Sequence, residues 1–374
     1  MILLVLLALP ILIGIAGRLI WRRRITWKEV AIHEVVVMAV IGIGYAIGRA
    51  DRKSDTEIWN GTISRKWTEQ VGCCHSYNCN PHTCVNPCLD SDGDMTVCIE
   101  TCWDTCYHHK ADVAYHAVTS NSESVFNDGC HPPDDAPPAR WQQIVEGEPT
   151  AIEHAFENYI KAAPGASPWK RDLAEKYRAQ IPEYPRVHDL YRVQRVLTKG
   201  VMLPDVDALN TRLSEINGKL GARKQVNAIL VVTAAKKPEY ADALSAAWLG
   251  GKKNDLIVVV GLPSGSEIAW VRAISWTKVT AVKEGIEKGV LRLGVFRGPE
   301  VLRVIEDEVA ARFVRRPMAD FAYLAASIEP TPTALWILFA LGLLLAVGLQ
   351  WFFWTHDVFD EEEHGEEYRS RSWN

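Results

Sequence analysis

All nine cysteines of this 374-residue chain fall between Cys73 and Cys130, in a region bracketed by apolar segments near either end. Thiols confined in this way fit a membrane-anchored protein whose central region faces an oxidising space, where a loop-rich module is stapled by disulfides. The spacing runs Cys73, Cys74, Cys79, Cys84, Cys88, Cys98, Cys102, Cys106, Cys130, interleaved with His75, His82, His108, His109, His116 and His131. Two chemistries compete for these residues. Structural zinc sites draw Cys pairs two to four residues apart from a single turn, often with His. On that rule Cys84 with Cys88, Cys102 with Cys106, and the neighbouring His108 and His109 form a candidate zinc set. No pair has the tighter C-x-x-C spacing and the intervals do not repeat, which favours disulfides, with all nine cysteines as candidates and no cofactor. Nine is odd, so at least one thiol is left over: buried, bound to metal, or paired with a second copy as a crosslinked homodimer. Adjacent Cys73 and Cys74 cannot easily join each other and should go to different partners.

Three segments are apolar enough to cross ~30 Å of hydrocarbon. The first, residues 1–20, has no Lys or Arg ahead of its apolar stretch, which favours a retained span over a cleaved signal peptide. The second is Val30–Gly48, in which Gly44 and Gly48 stand four apart and admit a neighbouring helix. The third, 333–354, carries no charge and ends in aromatics. Residues 21–29 and their edges hold Arg18, Arg22, Arg23, Arg24 and Lys28, so the positive-inside rule makes that loop cytoplasmic. The centre, about Arg49 to Thr331, is then extracytoplasmic, and the acidic tail 355–374 is cytoplasmic. Arg49, Arg52, Lys53, Arg315 and Arg316 pull the other way; the cysteines decide for an external centre. Trp21, Trp27, Trp336, Trp351 and Trp354, among fourteen tryptophans, suit the membrane interface. His33 and Glu34 enter the second span one turn from its cytoplasmic end, where both are expected to snorkel to the interface. The net charge of -5 with mixed signs excludes the basic field that nucleic-acid binding requires.

Between the spans the composition changes twice. Residues 52–130 read as a small Cys-rich β module crosslinked in its loops. Asp55–Glu69 is a strand pair turning at Asn60-Gly61, and Asp112–Thr119 is a further strand. Asp90, Asp92 and Asp94 around Gly93 form an acidic turn, since no Glu completes an EF-hand loop. Residues 131–150 are a Pro-rich linker, and 151–202 a helical connector with helices at Ala151–Tyr159 and Pro168–Gln180, ended by Pro182 and Pro185. From Leu203 the pattern becomes regular. A helix through Leu220 precedes the buried strand Ala228–Thr233, and a helix opened by Pro238 precedes the strand Asp255–Leu262. The returning strand Glu267–Trp276 follows, then helices over Thr280–Lys288 and Glu300–Arg312. That order predicts an α/β sandwich, one sheet with helices packed on it.

Ile229–Trp276 carries a resemblance. The strand Ile229–Val232, the helix Glu239–Trp248, the glycine-lysine turn Gly250–Lys253 and the strand opened by Asn254-Asp255 are similar to the TPM domain of membrane-anchored proteins exposed outside the cytoplasm. The likeness covers residues 203–313 and implies a TPM-like α/β sandwich, a role in maintaining membrane complexes, or divalent-cation-dependent phosphatase chemistry. Where that family continues into a glycine-rich acidic stretch, this chain has Ala273, Ile274, Ser275 and Trp276, which argues against the cation and the phosphatase. Asp255, the one matching acidic position, reads as a strand-start residue. The segments HSYNCN and DTCYHH are also similar to uncharacterised membrane proteins encoded by bacteriophages, which would act on the host envelope or in the virion.

Hydrolysis needs a positioned nucleophile, base and charge-stabilising group, or a metal. The chain has no G-x-S-x-G, no phosphate-cradling glycine loop, no H-E-x-x-H and no C-x-x-C of a disulfide oxidoreductase. The expectation is a non-enzymatic, membrane-anchored binding or assembly protein whose partners are the membrane and other membrane or envelope proteins.

Overall fold

The structure, a computed structural model, describes residues 2–22, 24–89, 93–162, 171–356 and 358–359. The expected turn at Asp90 and Asp92, the start of the helix at Pro168 and the acidic tail from Asp360 lie outside the described residues. In chain order the elements begin with α1 (Ile2–Ile20), α2 (Trp27–Lys53), β1 (Ser54–Gly72), β2 (Ser76–Leu89), β3 (Met95–Tyr107), β4 (Ala111–Thr119) and β5 (Ser124–His131). They continue with α3 (Ala139–Gln143), β6 (Pro149–Glu157), α4 (Tyr159–Ala162), α5 (Arg171–Lys176), β7 (Val187–His188), β8 (Arg192–Val193) and β9 (Val196–Lys199). The last group is α6 (Val206–Lys224), β10 (Asn227–Thr233), α7 (Glu239–Ala247), β11 (Asp255–Gly261), β12 (Trp270–Ser275), α8 (Ala281–Arg292), α9 (Gly298–Arg312) and α10 (Pro332–His356). The chain divides into two units, Met1–Thr56 with Ala155–Pro168 and Pro317–Asn374, and Glu57–His154 with Trp169–Arg316.

In the first unit α1, α2 and α10, of 19, 27 and 25 residues, are each long and apolar enough to cross a membrane. Thr26 starts α2 with a capping box: the Glu29 N–H donates to Thr26 Oγ1 at 3.3 Å, and the Thr26 N–H donates to Glu29 Oε2 at 2.7 Å. Leu6, Val37, Ile41, Tyr45 and Ala346 pack between the three helices. His33 does not snorkel. It is fully buried, with Nε2 3.2 Å from the Ala346 carbonyl, because glycine leaves room for it: a Cβ on Gly14 would meet its Nδ1 at 2.6 Å. Gln350 likewise turns inward and donates to the Gly14 carbonyl at 3.1 Å. Gly44 and Gly48 do admit close neighbours, Leu338 and Pro330. Trp21, Trp27, Trp336, Trp351 and Trp354 are all exposed, and Arg24 lies over Trp354 at 5.4 Å. The basic loop and the C-terminal end of α10 thus share one end of the bundle.

Gly17 gives a first prediction. A side chain there would collide with Gln350, whereas Gly42 has open space around it. Gly17→Leu is expected to destabilise the bundle by ~1–3 kcal/mol through overpacking, and Gly42→Leu to leave it unchanged. Thermal melts of the detergent-solubilised protein followed by circular dichroism compare them; equal melting points would sink the close-packing argument.

In the second unit, a four-stranded sheet has the order β5-β4-β1-β6, β2 and β3 form a separate two-stranded ribbon, and a second four-stranded sheet has the order β12-β11-β10-β9. The turn expected at Asn60-Gly61 is absent, and β1 runs straight through it. Asn60 is held extended by tertiary partners: its amide donates to the Val226 carbonyl at 2.8 Å and its oxygen accepts from Arg195. The helix expected at Ala151–Tyr159 is also overturned, since those residues form most of β6. Exposure alternates with the strand period from Ile152 to Glu157, and a sheet edge beside β1 supplies backbone partners that a lone helix of this length lacks. The stretch 151–202 therefore contributes strands β6 to β9, and the Pro-rich stretch 131–150 packs into the unit through Ile144, 1% exposed.

The α/β sandwich matches the sequence expectation and adds β9 to it. β9, β10 and β11 are parallel and β12 returns antiparallel. Ala228, Leu230, Val232, Leu256, Val258 and Val260 face α6, α8 and α9, whereas Ile229, Val231, Ile257 and Val259 face α7 with Tyr240, Leu244 and Trp248. Burial on both faces explains why these strands read as unbroken apolar runs.

Candidate functional site

The cysteine block is not a set of crosslinked loops but an extended ribbon. β2 and β3 pair antiparallel over Ser76–Leu89 and Met95–Tyr107, with one irregularity between Cys79 and His82. Three disulfides cross it, Cys79–Cys106, Cys84–Cys102 and Cys88–Cys98, with Cα separations of 5.8, 5.7 and 5.8 Å. A fourth, Cys74–Cys130 at 6.3 Å, ties the base of the ribbon to β5. All four separations suit a disulfide. These pairings commit the sulfurs of Cys84, Cys88, Cys102 and Cys106, and the His108 ring lies against Tyr77 with centroids 4.7 Å apart. The cysteines of the alternative zinc set that spacing offered are thus bonded in three different disulfides.

Side chains alternate across the ribbon. The cysteines of the upper ribbon occupy one face. On the other stand Val85 and Leu89 of β2 opposite Ile99 and Met95 of β3, with Val97 and Trp103 in the same row. None packs into a core: they run from 51% exposed (Trp103) to 75% (Ile99). Residues 76–107 also hold five carboxylates, Asp90, Asp92, Asp94, Glu100 and Asp104, and no Lys or Arg. The arrangement is a rigid, anionic blade with one apolar face.

Where the ribbon joins the sheet, polar groups converge. The link Cys73–His75 leaves β1, and the link His108–Lys110 enters β4; the His108 N–H donates to the His75 carbonyl at 3.1 Å and holds the two together. Asp112, second residue of β4, is fully buried between them. Its Oδ2 accepts from the Cys74 N–H at 2.8 Å and lies 3.1 Å from His75 Nδ1, and its Oδ1 meets His109 Nε2. Burial alone would raise its carboxyl, but the Cys74 N–H and the two imidazoles outweigh that and hold it at about 2. Cys73, the cysteine left over by the odd count, is the free one and belongs to this group. Sequence spacing missed it because Cys73-x-His75 and His109-x-x-Asp112 lie over thirty residues apart and meet only when the ribbon closes.

The sandwich offers no comparable centre. Asp255 is buried with both oxygens engaged, by Asn227 Nδ2 at 2.9 Å, the Lys252 N–H at 2.6 Å and the Tyr184 hydroxyl at 2.9 Å. Burial pushes it up to about 6 against those donors. The segment Ala273–Thr277 lines a cleft of about 400 Å³ together with Lys283 and Arg316, and no carboxylate lines it, so it lacks the anionic ligands a hard cation takes. Compared with protein families, with curated proteins and with solved structures, the chain matches none.

Proposed function

We propose that this protein is a membrane-anchored, non-enzymatic binding or assembly protein that presents its cysteine ribbon to another membrane or envelope protein outside the cytoplasm. The observation that carries the reading is the apolar row Val85, Leu89, Met95, Val97, Ile99 and Trp103, exposed on a framework that disulfides keep rigid. Exposed apolar patches on a folded framework are characteristic of contact surfaces, and a pre-stiffened one loses little conformational freedom on binding. Five carboxylates in a segment that carries no Lys or Arg disfavour an anionic lipid surface and match a protein whose apolar contact area is rimmed by Lys and Arg. Four disulfides support an oxidising location, and the basic loop beside α1 and α2 supports a cytoplasmic one for that loop. The α/β sandwich supports the TPM resemblance at the level of layers; the carboxylate-free cleft at Ala273–Thr277 speaks against a cation-dependent phosphatase.

The test places a photo-crosslinking residue at Ile99 or at its neighbour Glu100, which point to opposite faces of the ribbon, in the full-length protein in intact membranes. Crosslinks to an envelope protein are expected from Ile99 and not from Glu100, and Val97→Asp should abolish them. Equal yields from both faces, or crosslinks only to lipid, would refute the reading.

A further inference from the structure

We propose that Cys73, His75, His109 and Asp112 form a structural zinc site at the base of the ribbon, an assignment independent of what the ribbon binds. One ligand atom from each residue, Cys73 Sγ, an imidazole nitrogen of His75 and of His109, and a carboxylate oxygen of Asp112, lies within 4.8 Å of all the others. Zinc bonds of ~2.0–2.3 Å in a tetrahedron set ligand atoms ~3.3–3.8 Å apart, so the four need adjust by only about 1 Å. A thiolate, two neutral imidazoles and a carboxylate are the donor types zinc takes, and their two negative charges neutralise the ion. Four protein ligands complete a tetrahedron, which makes the site structural.

The surroundings suit that role. The Cys74 N–H donates to Asp112 Oδ2 at 2.8 Å and fixes the carboxylate from behind, as outer hydrogen bonds orient metal ligands. Cys74 and Cys130 also lie beside Asp112, but they are bonded to each other and donate no thiolate. The site further accounts for a free thiol among eight oxidised ones, since coordination protects a cysteine from oxidation and exchange. On binding, the Cys73 thiol releases its proton to solvent, and the metal joins the Cys73–His75 link to the His109–Asp112 segment.

The test uses the full-length protein in mild detergent with its disulfides intact, stripped with a chelator and re-equilibrated with zinc alone or with Co(II) as a spectroscopic probe. Elemental analysis is expected to show about one zinc per chain. Co(II) should give a thiolate-to-metal charge-transfer band and visible bands of tetrahedral strength, and zinc should protect Cys73 from iodoacetamide. Cys73→Ser should remove the charge-transfer band and weaken zinc binding by at least ~10-fold, and His109→Ala should weaken it similarly. If Asp112→Asn fails to fold, these two variants at partly exposed positions carry the test. Zinc binding unchanged by both, stoichiometric copper in place of zinc, alkylation of Cys73 undiminished by zinc, or Cys73 crosslinked to a second copy on a non-reducing gel would each overturn the assignment.

Discussion

Reduction of the disulfides is expected to unravel residues 76–107 while the α/β sandwich stays folded. Neither β2 nor β3 contains a single buried residue, so the hydrophobic burial that stabilises ordinary strands is missing from the ribbon. An isolated two-stranded hairpin is marginal in water at best. The crosslinks close sequence separations of 27, 18 and 10 residues. In the loop-entropy picture each is worth ~3 kcal/mol alone, less when nested, which is still enough to decide whether a marginal hairpin forms. The sandwich has no cysteine and a core packed on both faces of its sheet, so reductant leaves it intact. Hydrogen exchange with and without reductant should show protection lost over Ser76–Tyr107 and kept over β10 and β11. Ribbon amides that stay protected after full reduction would contradict the argument. Replacing Cys84 and Cys102 together by Ser should loosen the middle of the ribbon first.

The stability of the sandwich should fall as pH rises from about 4 to about 6, by up to ~3 kcal/mol. Asp255 has an ordinary value of 3.8 in the unfolded chain and is raised to about 6 in the fold, with burial as the main cause. Between those values the fold holds a proton that the unfolded chain has released. Its contribution is therefore fully present below about 3.8 and lost as pH rises through about 6, at ~1.4 kcal/mol per pH unit. Asp112 has the opposite sign, its contribution being lost only as pH falls through about 2, so it stays out of this window. Urea unfolding followed by tryptophan fluorescence at a series of pH values reads the slope, and Asp255→Asn should flatten it. An equal slope in the variant would rule Asp255 out as its source. Arg195, 2% exposed, sits two bonds along the same network: its Nε donates to Asn227 Oδ1 at 3.0 Å, and Asn227 passes the connection to Asp255. Burial lowers its guanidinium to about 10. Arg195→Met strands the Asn60 oxygen, at ~1–3 kcal/mol for a buried group left unpaired, whereas Asn227 Oδ1 keeps the Asn60 amide as a donor at 3.3 Å.

Legibility followed the length scale of each interaction. The three spans, both central strands of the sandwich and the helices that cover it were readable, because long apolar runs and 3.6-residue periodicity are local and survive in one dimension. Asn60-Gly61 and Ala151–Tyr159 were misread because distant partners overrode the local preference: Arg195 and Val226 hold Asn60 extended, and β1 offers an edge to β6. His33 was expected at the interface, since nothing in its own helix shows that Gly14 of α1 and the Ala346 carbonyl of α10 make a pocket for it.

The cysteine block divides the same way. Composition by itself favoured disulfides in this region and required at least one thiol to be left over, since parity and confinement need no coordinates. Tertiary structure alone decided which thiol that is, and that it lies with His75, His109 and Asp112. A disulfide or a four-ligand centre requires side chains to meet in space, and the closing of the ribbon, not their spacing along the chain, brings Cys73 and Asp112 together.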